Sequence, residues 1–167
     1  MRALSILPLV CVAALVPAVV WADGVSIAGG QLEGQGTIAF EADAAAPTEG
    51  SGAALDAIAR FIAEKTYLTT LRVEGHVAHA DAKRAQALSE ARARAIGAAL
   101  VARGVDCKRL VLVGFGDTKP VAARDTLEGR AANTRVVFAP AGLRGRAIGG
   151  LPLDGGGQVA GAPCAPR

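Results

Sequence analysis

The sequence has few aromatic residues and only two histidines, and neither sign of charge dominates. Four Phe, one Tyr and one Trp in 167 residues leave little material for stacking on sugars or nucleobases. The formal net charge of +3 is too small to predict binding to nucleic acid or to an anionic membrane surface. The longest apolar run falls short of the roughly 20 residues that a membrane-spanning helix requires. These deficits exclude nucleic-acid binding and membrane spanning as the main expectations.

Recognisable catalytic patterns are absent as well. The chain has no Gly-rich phosphate loop, no Ser-His-Asp arrangement and no pair of carboxylates suited to acid–base chemistry, and Ser89 has no evident base. The pair His76 and His79, with Asp81 and the cysteines, is the one arrangement from which a metal site could be assembled. A single His-x-x-His in a loop is weak evidence for such a site. We therefore predict a non-enzymatic protein without cofactor or metal.

The first 22 residues have the pattern of a secretory signal peptide. Arg2 supplies the positive start, residues 4–20 are apolar, and Val20-Trp21-Ala22 resembles a small-x-small cleavage site. An uncleaved membrane anchor is one alternative. A lipidated Cys11 is another, although Val10 is not the small residue that usually precedes such a cysteine. We predict export to the cell envelope, with cleavage after Ala22.

Composition divides the remaining chain into three parts. Residues 23–36 form a Gly-rich N-terminal segment with one or two short strands, and residues 37–139 carry the periodic hydrophobic patterns. Residues 140–167 are rich in Gly, Ala and Pro and show almost no apolar periodicity. Because such a segment buries too little apolar surface to offset its ordering entropy, we predict a flexible tail.

The patterns within residues 37–139 predict the order β-α-β-α-β-β. The predicted strands cover residues 37–40, 69–77, 109–113 and 134–139. The predicted helices run from the N-cap Ser51 to about Lys65 and from Asp81 to about Arg103, with a short helical turn at 126–133. Each long helix is sufficient for a parallel crossover. We therefore predict an α/β (α+β) fold, a two-layer sandwich with two helices on one face of a four-stranded sheet.

The second predicted strand separates two kinds of side chain. Leu71 and Val73 point to one side, and Arg72, Glu74 and His76 point to the other. This alternation predicts a sheet with one face covered by helices and one face that is more open.

Arg92 is the strongest anomaly in the second predicted helix. It lies four residues after Leu88 and four before Ile96, on the apolar stripe that should face the sheet. A guanidinium in that position must find hydrogen-bond acceptors or extend to an edge. Two interpretations stay open. Arg92 either caps a carbonyl or pairs with a local carboxylate such as Glu74, or it holds the carboxylate of a ligand.

Four motifs, in this order, resemble the periplasmic OmpA-like domain, and the resemblance covers about residues 37–139. The motifs are Val73-Glu74-Gly75-His76-Val77-Ala78, Leu88-Ser89-Glu90-Ala91-Arg92-Ala93, Gly114-Phe115-Gly116-Asp117-Thr118-Lys119-Pro120 and Asn133-Thr134-Arg135-Val136. Members of that family grip the peptide stem of the bacterial cell wall. The resemblance implies a periplasmic, envelope-bound protein with peptidoglycan as its partner.

The resemblance also implies a ligand site that this chain has altered. The family's Arg, which contacts a carboxylate of meso-diaminopimelate, maps onto Arg92, with Asn133 and Arg135 in support. The family's Asp, which accepts the ligand's ammonium, is replaced by Ala78, and a further Arg is replaced by Thr134. Loss of a buried charge-assisted bond costs about 1.5–3 kcal/mol, or roughly tenfold to a hundredfold in affinity.

Two functions remain open from these residues. The first is non-covalent attachment to the meso-diaminopimelate stem peptide of peptidoglycan, with peripheral association with the outer membrane. The alternative is a degenerate domain that acts as a protein–protein interaction module or accessory subunit of an envelope complex, which the changes at Ala78 and Thr134 favour.

Cys107 and Cys164 are the two cysteines that follow the predicted signal peptide. An even pair in an oxidising compartment permits a disulfide. The bond would enclose about 57 residues and contribute roughly 3–4 kcal/mol on the chain-entropy model. Spacing alone leaves open whether it forms.

Overall fold

The computed structural model describes residues 24–148 and 155–164, so the predicted signal peptide lies outside the described residues. In chain order the elements are β1 (Ser26–Ala28), β2 (Gln31–Glu33), α1 (Gly52–Glu64), β3 (Leu68–His76), α2 (Ala82–Val101), β4 (Leu110–Gly114), α3 (Leu127–Asn133), β5 (Arg135–Leu143), β6 (Arg146–Ala147) and β7 (Gln158–Val159). The predicted mixed α+β class is confirmed. Among the described residues, no helix is both long and apolar enough to cross a bilayer.

The main sheet has five strands, in the order β6-β5-β3-β4-β7, where the sequence predicts four. β3 and β4 are parallel, and the other neighbours are antiparallel. The strand predicted at residues 37–40 is wrong, because only Phe40 forms an isolated bridge, to Pro47. The backbone there bonds locally instead: Thr48 N donates to Ala39 O (2.9 Å), and Ala39 N donates to Ser51 Oγ (3.0 Å). Ser51 therefore does not cap α1 with its side chain.

The C-terminal segment contributes to both edges of the sheet. β5 runs on to Leu143, and β6 and β7 form the two outer strands. Ala160 N donates to Leu112 O (2.8 Å), and the Ala160 side chain is buried. A disulfide joins Cys107 to Cys164. The described part of the predicted flexible tail is thus held by backbone pairing, which needs no apolar periodicity, and by one covalent bond.

α2 packs closely on the ends of β3 and β4. Asp81 caps it by accepting from Lys83 N and Arg84 N. The residues that α2 buries are Ala85, Ser89, Arg92, Ala93, Ile96, Gly97 and Leu100. The backbones of α2 and β3 approach each other closely because Gly75 has no side chain. A Cβ on Gly75 would lie 2.1 Å from Ser89 O. Arg92 is therefore on the buried stripe, as its spacing predicts.

Candidate functional site

Arg92 is buried beneath the loop that precedes α1. Its side chain leaves only 4% of its surface exposed. Nε donates to Ala44 O (2.9 Å), Nη2 donates to Glu41 O (3.3 Å), and the guanidinium lies 4.4 Å from the Phe40 ring centroid. Burial lowers the pKa of Arg92, and the charge of Asp43 opposes that shift. Of the interpretations left open by the sequence, the structure shows backbone carbonyls as the acceptors, and it does not show a pair with Glu74.

We expect Arg92→Met to lower the free energy of unfolding by about 2 kcal/mol. The substitution leaves the carbonyls of Glu41 and Ala44 without their donors and removes the cation from Phe40. Urea unfolding measures the loss. Arg84→Met is the matched control, because Arg84 lies on the same helix and bonds Asp43 of the same loop, but both side chains are more than half exposed. We expect it to cost less than about 1 kcal/mol. Equal losses in the two variants would contradict the structural role of Arg92.

Ala78 lines a cavity of about 440 Å³, and Arg92 does not. Its backbone N donates to Thr134 Oγ1 (3.1 Å), and that hydroxyl donates to Arg130 O (3.0 Å). Thr134 therefore connects the loop after β3 to the end of α3. The structure separates two predicted site residues: Ala78 faces the cavity, while Arg92 lies under the loop before α1.

Asn133 lines the cavity, but its amide holds the loop that follows β4. Oδ1 accepts from Val121 N (2.7 Å) and Ala122 N (3.0 Å), and Nδ2 donates to Ala122 O (2.9 Å). Arg135 bonds to the same region, donating to Asn133 O (3.3 Å) and Lys119 O (3.3 Å). Burial lowers the pKa of Arg135, and the charge of Glu74 opposes that shift. Both side chains position a loop that forms one wall of the cavity.

The sheet face without α1 and α2 is closed at this end, although the sequence predicts it to be more open. Glu74 and His76 are buried, with only 6% and 2% of their surfaces exposed. His76 stacks on Phe115, with ring centroids 5.1 Å apart, and Lys119 Nζ lies 4.1 Å from the centroid of Phe115. His76 Nε2 is 3.4 Å from Glu74 Oε2 in poor hydrogen-bond geometry, and neither ring nitrogen finds a hydrogen-bond partner within residues 24–148 and 155–164.

The buried pair has shifted pKa values. Burial lowers the pKa of His76, and the charges of Arg135 and Lys119 add to this, against the opposing effect of Glu74. Burial alone would raise the pKa of Glu74, but its contacts with His76 and Arg72 outweigh burial and lower it. The structure therefore favours a neutral imidazole beside an ionised carboxylate.

We expect stability to fall on acidification below about pH 6.5. Because the pKa of His76 lies below its ordinary value of 6.5, the unfolded chain takes up a proton that the folded chain resists. This contribution is present above pH 6.5 and is lost as pH falls through the folded pKa. Melting temperatures between pH 8 and 5 measure the effect. We expect His76→Gln to flatten the profile between pH 6.5 and 5, and an unaltered slope in that variant would contradict the assignment.

Sequence reasoning did not select Lys119, Arg124 or Arg130, which also line the cavity. Lys119 lies inside the Gly-x-Gly-x-x-x-Pro motif, and its position beside a patterned turn was the only available signal. Within the described segments, no group of three His, Cys, Asp or Glu side chains comes close enough to hold a metal ion.

Comparisons with known proteins show which family and which fold this chain shares. The OmpA family model matches residues 39–134, more than half of the chain. Outer membrane protein A of Bordetella avium is 44% identical over 57 residues, covering 34% of this chain and 29% of that protein. Outer membrane porin F of Pseudomonas aeruginosa is 41% identical over 103 residues, covering 59% and 29%. The chain thus spans less than a third of the length of these curated relatives.

Solved structures share the fold at lower identity. The peptidoglycan-associated lipoprotein from Burkholderia pseudomallei superposes with a TM-score of 0.57 at 23% identity, covering 61% of this chain and 86% of that one. The C-terminal domain of Helicobacter pylori MotB gives a TM-score of 0.55 at 24% identity, covering 60% and 79%.

Proposed function

The chain belongs to the OmpA family, and on that premise we propose that it is an exported cell-envelope protein that attaches non-covalently to peptidoglycan. In this proposal residues 1–22 are removed, and the rest acts in the periplasm, peripherally associated with the outer membrane. It binds stoichiometrically, without a cofactor or catalysis. The name of the relative from Burkholderia pseudomallei, a peptidoglycan-associated lipoprotein, supports the choice of partner.

The cavity beside Ala78 is the observation that carries the proposal. It has a volume of about 440 Å³, and Lys119, Arg124 and Arg130 are among its lining residues. Stem peptides present carboxylates, and cationic side chains form the stronger, charge-assisted hydrogen bonds to such groups. A cavity of this size accepts a side chain or a peptide terminus.

The family resemblance assigns Arg92 to the stem carboxylate. In our proposal that contact requires the loop at residues 41–48 to move, because the guanidinium donates to the carbonyls of Glu41 and Ala44. Asn133 and Arg135 support the site indirectly, through the loop that they hold beside the cavity. The absence of a carboxylate at Ala78 weakens the grip on a ligand ammonium.

A protein–protein interaction module or accessory subunit of an envelope complex is the second candidate. The engagement of Arg92 by backbone carbonyls favours it, as does the Ala78–Thr134 hydrogen bond, because both commit family ligand positions to internal contacts. Val121, in the loop after β4, and Leu127, the first residue of α3, are exposed and would then be available to a protein partner.

Sedimentation with diaminopimelate-type sacculi tests the proposal. Residues 23–167 should sediment with sacculi, and Ala78→Asp should raise the apparent affinity by roughly tenfold to a hundredfold, because a carboxylate returns to meet the ligand's ammonium. Arg92→Met reports whether Arg92 contributes, with Arg84→Met as the control for changes to the loop.

The two candidates predict different results. If the unchanged chain does not sediment and Ala78→Asp does, the fold is retained but the site of the unchanged chain does not bind peptidoglycan. The protein–protein interaction module is then the better description. Absence of sedimentation in every variant, with folding intact by circular dichroism, would contradict attachment to peptidoglycan outright.

A further inference from the structure

The charges around the cavity do not cancel. Arg124 pairs with Asp117, with Nη1 and Oδ2 3.4 Å apart, so these two residues neutralise each other. Lys119 and Arg130 also line the cavity. Arg130 Nη1 donates to the neutral carbonyl of Asp125 (3.1 Å), and Lys119 Nζ lies over an aromatic ring. Neither cation is paired with a carboxylate within the described residues, so two positive charges remain.

His79 adds a hydrogen-bond donor to the same wall. Asp81 N donates to His79 Nδ1 (2.9 Å), so Nδ1 is the acceptor of that bond. An imidazole whose Nδ1 accepts a hydrogen bond carries a proton on Nε2, which is then a donor. His79 is among the residues that line the cavity.

Lys119 lines the cavity, and its ammonium lies over a buried aromatic stack. It lies over one face of Phe115, and Phe115 stacks on His76, with the two ring planes 5° apart. Phe115 is fully buried, so the surface under the ammonium is rigid. Preorganised donors bind anions with less loss of side-chain entropy than mobile surface lysines do.

Ala78 adds no negative charge to the cavity lining. Its methyl group lines the cavity and carries no charge. Asp117, the one carboxylate among the lining residues that the structure describes, is already paired with Arg124. The lining therefore presents donors and excess positive charge to a ligand.

From this arrangement we infer that the cavity is a carboxylate site, with Lys119 as its anion-binding residue, and that it requires no ammonium on the ligand. The inference rests on the proposed function and specifies it. The chain takes hold of stem peptides by a carboxylate, in a position distinct from Arg92, and its preference for charge is reversed relative to a site that carries Asp.

Two probes with the same carbon chain test this directly. Pimelate and meso-diaminopimelate are both seven-carbon dicarboxylates, but only the second carries ammonium groups. When each probe is titrated into ¹⁵N-labelled residues 23–167, pimelate should bind more tightly than meso-diaminopimelate. Pimelate should also shift the amide NMR signals of residues 78–80 and 116–119. Lys119→Gln should raise the Kd for pimelate by about tenfold or more. Lys108→Gln removes the same charge from an exposed position outside the cavity and should change that Kd by less than about twofold.

Ala78→Asp provides the reciprocal test. It should weaken pimelate binding by about tenfold and favour meso-diaminopimelate, which reverses the preference of the unchanged chain. Shifts centred on residues 41–44, an unchanged Kd in Lys119→Gln, a preference for meso-diaminopimelate, or no saturable pimelate binding would each overturn the inference.

The sacculus assay separates this inference from the proposed function. Pimelate binding that depends on Lys119, without sedimentation, would keep the carboxylate site and reject peptidoglycan as the partner. Sedimentation that persists in Lys119→Gln would keep peptidoglycan and reject Lys119 as the residue that holds it.

Discussion

Gly75→Ala is expected to lower the free energy of unfolding by about 3 kcal/mol or more. A methyl group on Gly75 would lie 2.1 Å from Ser89 O and 2.9 Å from Ser89 C, which are backbone atoms of α2 that cannot rotate away. Because α2 lies directly on β3 at this point, the helix must move off the strand, and overpacking of a close contact costs about 1–3 kcal/mol or more. Urea unfolding of residues 23–167 measures the change.

The same substitution should also disturb the cavity. Gly75 is three residues before Ala78, and Ser89 Oγ, on the helix that must move, accepts a hydrogen bond from Gly116 N (2.9 Å). Gly50→Ala is the control, because the nearest atom to its Cβ is 3.9 Å away. We expect that variant to stay within about 1 kcal/mol of the unchanged chain. A Gly75→Ala protein of unaltered stability would show that the contact between α2 and β3 is not tight.

Removal of the disulfide by Cys107→Ser with Cys164→Ser is expected to cost roughly 3–4 kcal/mol. The bond closes a loop with a sequence separation of 57 residues, and its loss restores the conformational entropy of the unfolded chain. Among the described residues, β7 pairs with β4 at Val113 and Gly114, and Ala160 is held by bonds with Leu112 O and Arg94 Nη1, so the disulfide supplements a short run of contacts on that edge. Urea unfolding measures the global loss, and hydrogen exchange at Ala160 N, which bonds Leu112 O, measures the local one.

The unchanged chain under a reducing agent should behave like the double variant, because both lack the same covalent bond. Each single serine variant should match the double variant in stability for the same reason. Unfolding of the double variant at the same urea concentration as the oxidised chain would contradict a stabilising role for the bond.

Much of the fold was predictable because it depends on local patterns. The 3.6-residue period predicts α2 and puts Arg92 on its buried stripe, and Asp81 caps the helix that it is predicted to begin. The strand at residues 37–40 failed for the opposite reason. A hydrophobic alternation shows that a segment can form a strand. Here, however, Thr48 and Ser51 form the hydrogen bonds to the backbone of Ala39 that a neighbouring strand would otherwise form.

The candidate site was less predictable than the fold. The sequence identified Arg92, Asn133 and Arg135 as polar residues in patterned positions, and the structure shows each of them donating to backbone carbonyls. Every residue carries a carbonyl, so such partners leave no signature in the sequence. Lys119 was overlooked because its significance depends on a ring that reaches it only in the folded chain.

The sequence by itself determined the family and the order of the helices and of the three central strands, β3, β4 and β5, because motifs and periodicities are written in consecutive residues. Only the tertiary structure decided that the C-terminal segment borders both edges of the sheet, that Arg92 lies beneath a loop, and that Lys119 and Arg130 line one cavity. These outcomes depend on contacts between groups that are far apart in the sequence. Packing of the whole domain determines which of those contacts form.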